Sequence, residues 1–274
     1  MTYGWAILII AVVLGALFQL GVFNASSFSP RAPPGACQVF RSGGPGTVTN
    51  INLMGVCTGQ LPQYVSIFSS ASSSYISLAT YPNPTGSLTL SVWFKAQSTT
   101  SQIVLVSHGW TASEPGFTFQ IFSHKLTCGV QNQGASAYAQ AFGAKTIDDS
   151  NWHHAACVFS SGSSLQIYTD GVADGGSAGA TGTTDSHNSF GFWIGRDDAT
   201  RNFNGQLSNY QLYNTSLSTN EIQYLYSEGI GGAPTLLQNL VGWWPLNGNT
   251  NDYSGNNNNG VPYNGVTYTS QYGK

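Results

Sequence analysis

Residues 151–172 read NWHHAACVFSSGSSLQIYTDGV, and their spacing decides the fold class. Apolar side chains alternate with small or polar ones over HAACVF (154–159) and again over LQIYT (165–169). That period of two suits strands with one face on a core and does not suit a helix. Ser160-Ser161-Gly162 interrupts the first run and Asp170-Gly171 ends the second, and both have the composition of hairpin turns. Outward from this hairpin the alternation recurs in YVSIF (64–68), YISLA (75–79), SLTLSVWF (87–94), IVLVS (103–107), FTFQIF (117–122), FGFWIG (190–195) and QLSNYQLY (206–213). Clusters of Gly, Ser, Asn and Asp separate these runs, a pattern that predicts an all-β antiparallel sandwich of the jelly-roll kind. One helix interrupts it. Ser218-Thr-Asn-Glu221 is a capping box, Ile222, Leu225 and Tyr226 follow on one helical face, and Gly229 closes the segment, so a short helix is expected over 219–228.

Several motifs occur in a telling order: Trp152-His153-His154 opening the hairpin, Asp170-Gly171 at its end, then FNGQLSNYQLYN (203–214) before the helix. In these, residues of about 64–229 resemble laminin-G-like, concanavalin A-like lectin/glucanase domains. The resemblance implies the same jelly roll and a lectin-like role. The chain departs from the pattern at Ser208 and Asn209, where the family carries an acidic pair. It also departs in order: LVGWWPLNGNTNDYSGNNNNGVPYNGV (240–266) looks like the segment that opens such a domain, yet comes last. The expectation is a circularly permuted sandwich of residues 64–274 in which 237–274 supply strands, the alternative being a truncated second copy. Trp243, Trp244 and Tyr253 cannot be buried by so short a tail alone.

The 274 residues include only 8 Lys plus Arg and 11 Asp plus Glu, and charged residues make up 7%. With a net charge of −3 and the basic residues scattered singly, the footprint of a nucleic-acid-binding protein is missing. Mean hydropathy is −0.08, which excludes a polytopic membrane protein. The one continuous apolar run is WAILIIAVVLGALFQLGVF (5–23), which as a helix spans roughly 28 Å, enough to cross a bilayer. Residues 1–24 resemble the hydrophobic N-terminal helix of archaeal type IV pilin-like proteins, although the Glu and the basic leader of that family are absent. Residues 5–23 are therefore expected either to anchor the chain in a membrane or to pack with like helices in a filament core, with Ala11 and Gly15 allowing close approach. Residues 25–36, with Pro30, Pro33 and Pro34, read as a linker, and 37–63 as a cap segment bracketed by cysteines. Four cysteines allow three connectivities, and none has the spacing of a metal site. The expected bonds are Cys37–Cys57 and Cys128–Cys157, with free buried thiols as the alternative for the second pair. An extracellular, surface-displayed location follows from these readings.

For chemistry, a glycosidase of this fold needs two carboxylates at alternating strand positions. The three Glu are Glu114 in a turn and Glu221 and Glu228 in the helix, while Asp148-Asp149 and Asp197-Asp198 are adjacent pairs that point apart in a strand. No nucleophile elbow is present either. The chain is expected to be non-enzymatic, with no catalytic residue. Trp110, after His108 and Gly109, is the candidate for stacking on a sugar ring, which makes a glycan or cell-surface ligand the expected partner. The cofactor is expected to be calcium or none: hard cations take Asp, Asn and backbone oxygens, and the resemblance implies a metal-binding role for Asp252, the position where related domains place a calcium-binding Asp.

Overall fold

In a computed structural model of the chain, residues 61–78, 86–98, 101–109, 116–131, 138–180, 191–197 and 201–272 are described, together with the backbone of 37–40 and 48–51. The expected N-terminal helix, the linker, the Cys37–Cys57 bond and Trp110 lie outside the described residues. Strands β1 (Cys37–Phe40) and β2 (Val48–Ile51) pair only with each other. There follow β3 (Val65–Phe68), β4 (Tyr75–Leu78), β5 (Leu88–Ala96), β6 (Ile103–His108), β7 (Gly116–Phe122), β8 (Lys125–Gln131) and β9 (Tyr138–Phe142). Next come β10 (Trp152–Ser160), β11 (Ser163–Thr169), β12 (Val172–Ala180), β13 (Phe192–Ile194) and β14 (Gly205–Tyr213). Helix α1 (Thr219–Glu228) precedes β15 (Leu240–Trp244), β16 (Gly260–Tyr263) and β17 (Thr267–Thr269).

These strands form two antiparallel sheets. The first runs β12-β11-β10-β5-β14-β3-β17, with β15 also paired to β14, and the second runs β16-β4-β13-β6-β7-β8-β9. Their inner faces share one core in which Phe94, Phe117, Phe119, Phe159, Phe192 and Trp244 are fully buried. Cys128 on β8 and Cys157 on β10 form a disulfide that ties one sheet to the other through this core, with the Cα atoms 6.2 Å apart.

The opening hairpin is built as its composition suggests. Asp170 and Gly171 both have positive φ, 54° and 74°, and Thr169 pairs directly with Val172, giving the two-residue turn that matches strand twist. A Cβ at Gly171 would meet the Tyr226 ring at 3.0 Å, so the turn also serves as a seat for α1. The helix begins at Ser218, whose side chain accepts from the Glu221 N–H, while the Glu221 carboxylate accepts from the Ser218 N–H at 2.7 Å. It buries Ile222 and Leu225 against Ala156, Val158, Tyr168 and Tyr213 on the outer face of the first sheet. That cover explains why β5, alternating in sequence, is buried along almost its whole length. One strand escapes the period-two reading almost entirely. Gly-rich β12 has little side-chain signal, and Gly175 is required there because a Cβ would collide with the Phe142 carbonyl of β9.

Candidate functional site

The Trp152-His153-His154 motif divides its work between the two sides of β10. Trp152 donates from Nε1 to the Tyr272 carbonyl at 2.9 Å. His154 is buried beneath α1, with Nε2 2.9 Å from Ser91 Oγ and its ring against Trp93, and burial pushes its pKa down to about 4. His153 lies between two carboxylates, Nδ1 3.0 Å from Asp170 and Nε2 3.1 Å from Asp149. Burial pulls the His153 pKa down, but Asp170 and Asp149 outweigh it, and the imidazole titrates above its ordinary 6.5. Burial likewise raises both carboxylates and is outweighed, by Asn151 and His153 at Asp149 and by His153, the His154 N–H and Lys145 at Asp170, so both titrate low. The raised imidazole contributes stability that is whole below the unfolded value and is lost as pH rises through the folded one. The lowered carboxylates contribute stability above about pH 4 that is lost on acidification. His154 and His108, both pushed down to about 4 by burial, act the other way: below about 6.5 the unfolded chain takes up protons that the fold refuses, and stability falls. The urea midpoint is therefore expected to peak near pH 7, to fall steeply on acidification and modestly toward pH 8, with H153Q flattening only the alkaline fall. An alkaline fall that is the same in H153Q as in the parent rejects this cluster as its source.

Three other aspartates are engaged within the fold. Asp174 accepts from the Ala144 and Lys145 N–H groups and from Thr169 Oγ1, Asp148 from His124, and the buried Asp197 from Arg201. At Ser208 and Asn209 the missing acidic pair is replaced by bridges. Ser208 Oγ reaches the Ile230 and Pro245 carbonyls, and Asn209 binds the Gly232 carbonyl and the Trp243 Nε1–H. Asp252 sits in the loop after β15, where one oxygen accepts from the Trp243 and Ser254 N–H groups and the other from Ser254 Oγ and the Asn258 N–H. Calcium requires six to eight converging oxygens. Here donors converge on the carboxylate instead, and among the described residues no group of His, Cys, Asp or Glu joins it. The residues present do not fit the calcium ion expected at Asp252, and the carboxylate organises the Asn-rich loop.

The outer face of the second sheet presents a different chemistry. Tyr75 on β4 pairs directly with Tyr263 on the edge strand β16, and Ser77 pairs with Trp193 on β13. Alternation sends Ile76, Leu78, Phe192 and Ile194 into the core and leaves these partners on the outside. The Tyr75 and Tyr263 rings stack with centroids 4.9 Å apart and planes 7° apart. The Arg196 guanidinium carbon lies 4.4 Å from the Tyr75 centroid and 5.2 Å from that of Trp193. Tyr263, an aromatic at a sheet edge, is 44% exposed. Farther along the same face stand Ser107, Thr118, Gln120 and Thr127, all buried and polar. Sequence reading did not assemble this row, because its members are separated by up to 188 positions and only the β16 to β4 register brings Tyr263 onto Tyr75. The available signal was the alternation of YISLA, which already places Tyr75 and Ser77 opposite the core residues. A concavity of about 650 Å³ lies apart from this row, beside the N-terminus of α1, and is lined by Ser160, Ser164, Gln166, Leu236 and the capping residues Ser218 and Glu221. Its carboxylate is already committed to the helix cap.

Comparison with known proteins gives the fold a family. No match was found among curated protein sequences. Among solved structures, a candidate carbohydrate-binding protein of Bacteroides ovatus superposes with a TM-score of 0.60 at 17% identity over 77% of this chain, which spans 60% of that protein. A heptameric SAP-like pentraxin of Limulus polyphemus gives 0.53 at 15% identity, covering 76% of this chain and 95% of the pentraxin. Both likenesses are of fold. The model of the concanavalin A-like lectin/glucanases superfamily, in its laminin G form, matches residues 70–223, more than half of the 274. With the W-H-H hairpin inside that match and the two-sheet sandwich built around it, the chain belongs to the concanavalin A-like lectin/glucanase superfamily.

Proposed function

We propose that this chain is a non-enzymatic, saccharide-binding protein of the cell surface, with the row Tyr263–Tyr75–Arg196–Trp193 as its binding surface. The observation that carries the reading is this row of aromatic rings at a sheet edge, with Tyr263 exposed and half-buried Ser77 paired beside Trp193. Sugar rings bind by laying C–H groups on aromatic surface while their hydroxyls find polar partners. The carbohydrate-binding candidate among the structural relatives supports the same reading. Non-catalytic function is supported by the carboxylates: Asp148, Asp149, Asp170, Asp174, Asp197, Asp252 and Glu221 each hold a backbone or basic partner and are committed to structure. The disulfide through the core is a bond of oxidising compartments and supports an exported body. The apolar run at 5–23 would hold it there as a membrane anchor. A second reading, favoured by the likeness of that run to pilin-like helices, is a filament subunit whose helices form the core and whose sandwich coats it.

The test is a glycan array probed with the full-length chain in mild detergent, followed by titration of the hits. Tyr263→Ala is expected to weaken binding on the order of tenfold, about 1.4 kcal/mol, with little change in unfolding temperature because the ring is partly exposed. An array with no retained saccharide, or a hit indifferent to Tyr263→Ala, sinks the assignment. Native material separates the two forms of display: a detergent-soluble monomer supports the anchor, and a shearable fibre supports the filament.

A further inference from the structure

Arg196 is the unusual member of the row. The chain reaches it through Gly195, whose φ is 88°, and the Ser107 hydroxyl donates to the Arg196 carbonyl at 2.9 Å, so the backbone beneath the side chain is held. Its Nε–H donates to the Asp197 carbonyl at 3.0 Å, which spends the inner edge of the guanidinium and leaves the Nη edge. The adjacent Asp197 carboxylate is buried and is taken by the Arg201 N–H and guanidinium. Among the described residues no carboxylate pairs with Arg196. In a protein with 8 Lys plus Arg, a guanidinium held between Tyr75 and Trp193, fixed at its inner edge and with no counter-ion among the described residues, is a placed charge and not a solubilising one. Planar Nη groups are preset for two-point contact with a carboxylate or sulfate.

We infer that this surface takes an anionic saccharide, a sugar bearing a carboxylate or a sulfate, with the acidic group on Arg196 and the ring against the aromatic row. The inference rests on the saccharide-binding reading above and adds the charge of the ligand to it. Neutral sugars would use only the aromatic part of the site, whereas an acidic one would also place an anion on the Arg196 guanidinium. The bound state would then be salt-sensitive, as contacts between partly exposed charges are.

The experiment titrates the full-length chain in mild detergent with oligogalacturonate, its methyl ester, a neutral hexasaccharide and a sulfated oligosaccharide of similar length. Methyl esterification removes the charge and keeps the sugar skeleton. At 50 mM salt the expected result is at least tenfold tighter binding of the carboxylated or the sulfated oligomer than of the methyl ester. The preference should shrink several-fold at 500 mM salt, vanish in Arg196→Gln and survive in part in Arg196→Lys. Which of the two anionic arms binds identifies the acidic group. Binding of both anionic oligomers no tighter than that of the methyl ester, or a preference that persists in Arg196→Gln, overturns the inference. If the neutral and esterified sugars bind in a Tyr263-dependent way without an acid preference, the saccharide reading stands and this one fails. If no oligosaccharide binds, the saccharide reading itself has failed. Thermal unfolding of Arg196→Gln within a few degrees of the parent shows that the fold is intact; should that variant unfold early, Arg196→Lys compared at both salt concentrations decides the matter by its retained, salt-sensitive preference.

Discussion

A chain that stops at Leu236 is expected not to fold. The missing residues hold β15, β16 and β17, which pair with β14, β4 and β3 and so serve both sheets. They also carry Trp244, Leu246 and Tyr272, all fully buried, and Leu240, nearly so. At about 1.5–3 kcal/mol for each large apolar side chain buried, that contribution reaches roughly 6–12 kcal/mol, comparable with the 5–15 kcal/mol by which whole domains are stable. Trp244 is the centre of it. Its ring stacks on Tyr210 at 5.4 Å and meets Phe192 at 6.0 Å, and its Nε1–H donates to the Asn258 carbonyl at 2.9 Å. Trp244→Ala alone is expected to cost about 3–5 kcal/mol. Limited proteolysis and thermal melts check both: the full chain should give a resistant core and a cooperative transition, the truncated chain neither, and a peptide of residues 237–274 added in trans should restore them. A cooperative melt from the truncated chain would show that the sandwich closes without these strands.

This dependence bears on what the sequence could disclose. Each of the nine runs with a period of two is a strand, because a strand with one face in the core must alternate, and the helix over 219–228 begins and ends where its Ser, Glu and Gly demand. Lys125–Gln131 and Tyr138–Phe142 carry the same alternation more faintly, with Gly129 and Ala139 weakening it, while Val172–Ala180 has almost none, because its backbone must pass against β9. The aromatic row proposed as the binding surface was hidden for a different reason. Alternation tells which side of a strand faces out but not which strand lies alongside, and Tyr75, Trp193 and Tyr263 become one surface only through the pairings of β4 with β13 and β16. Asp252 shows the opposite error. Its position in the family pattern suggested a metal ligand, but three donors of its own loop and the Trp243 N–H of β15 occupy the carboxylate, and those donors cannot be read from residue type.

Loss of the Cys128–Cys157 bond is expected to lower stability by about 3–4 kcal/mol. The bond closes a loop of 29 positions, and restricting the unfolded chain over that length accounts for about 3.6 kcal/mol on the chain-entropy model. For a domain of about 200 residues this corresponds to a fall of roughly 10 °C in Tm. The position adds a kinetic consequence. Both cysteines are fully buried, one on the inner face of each sheet, so a reductant reaches the sulfurs only when the sheets part. Reduction under native conditions should therefore proceed at the rate of opening and be independent of reductant concentration once the reductant is in excess, whereas a surface disulfide would be reduced in proportion to it. The double variant Cys128→Ala with Cys157→Ala should show the same lowered Tm with or without reductant. Cys→Ser at both sites should be lower still, since two hydroxyls would enter an apolar core without partners. A Tm within two degrees of the parent after complete reduction, verified by thiol titration of the unfolded protein, would mean that packing between the sheets, and not the cross-link, holds the sandwich together.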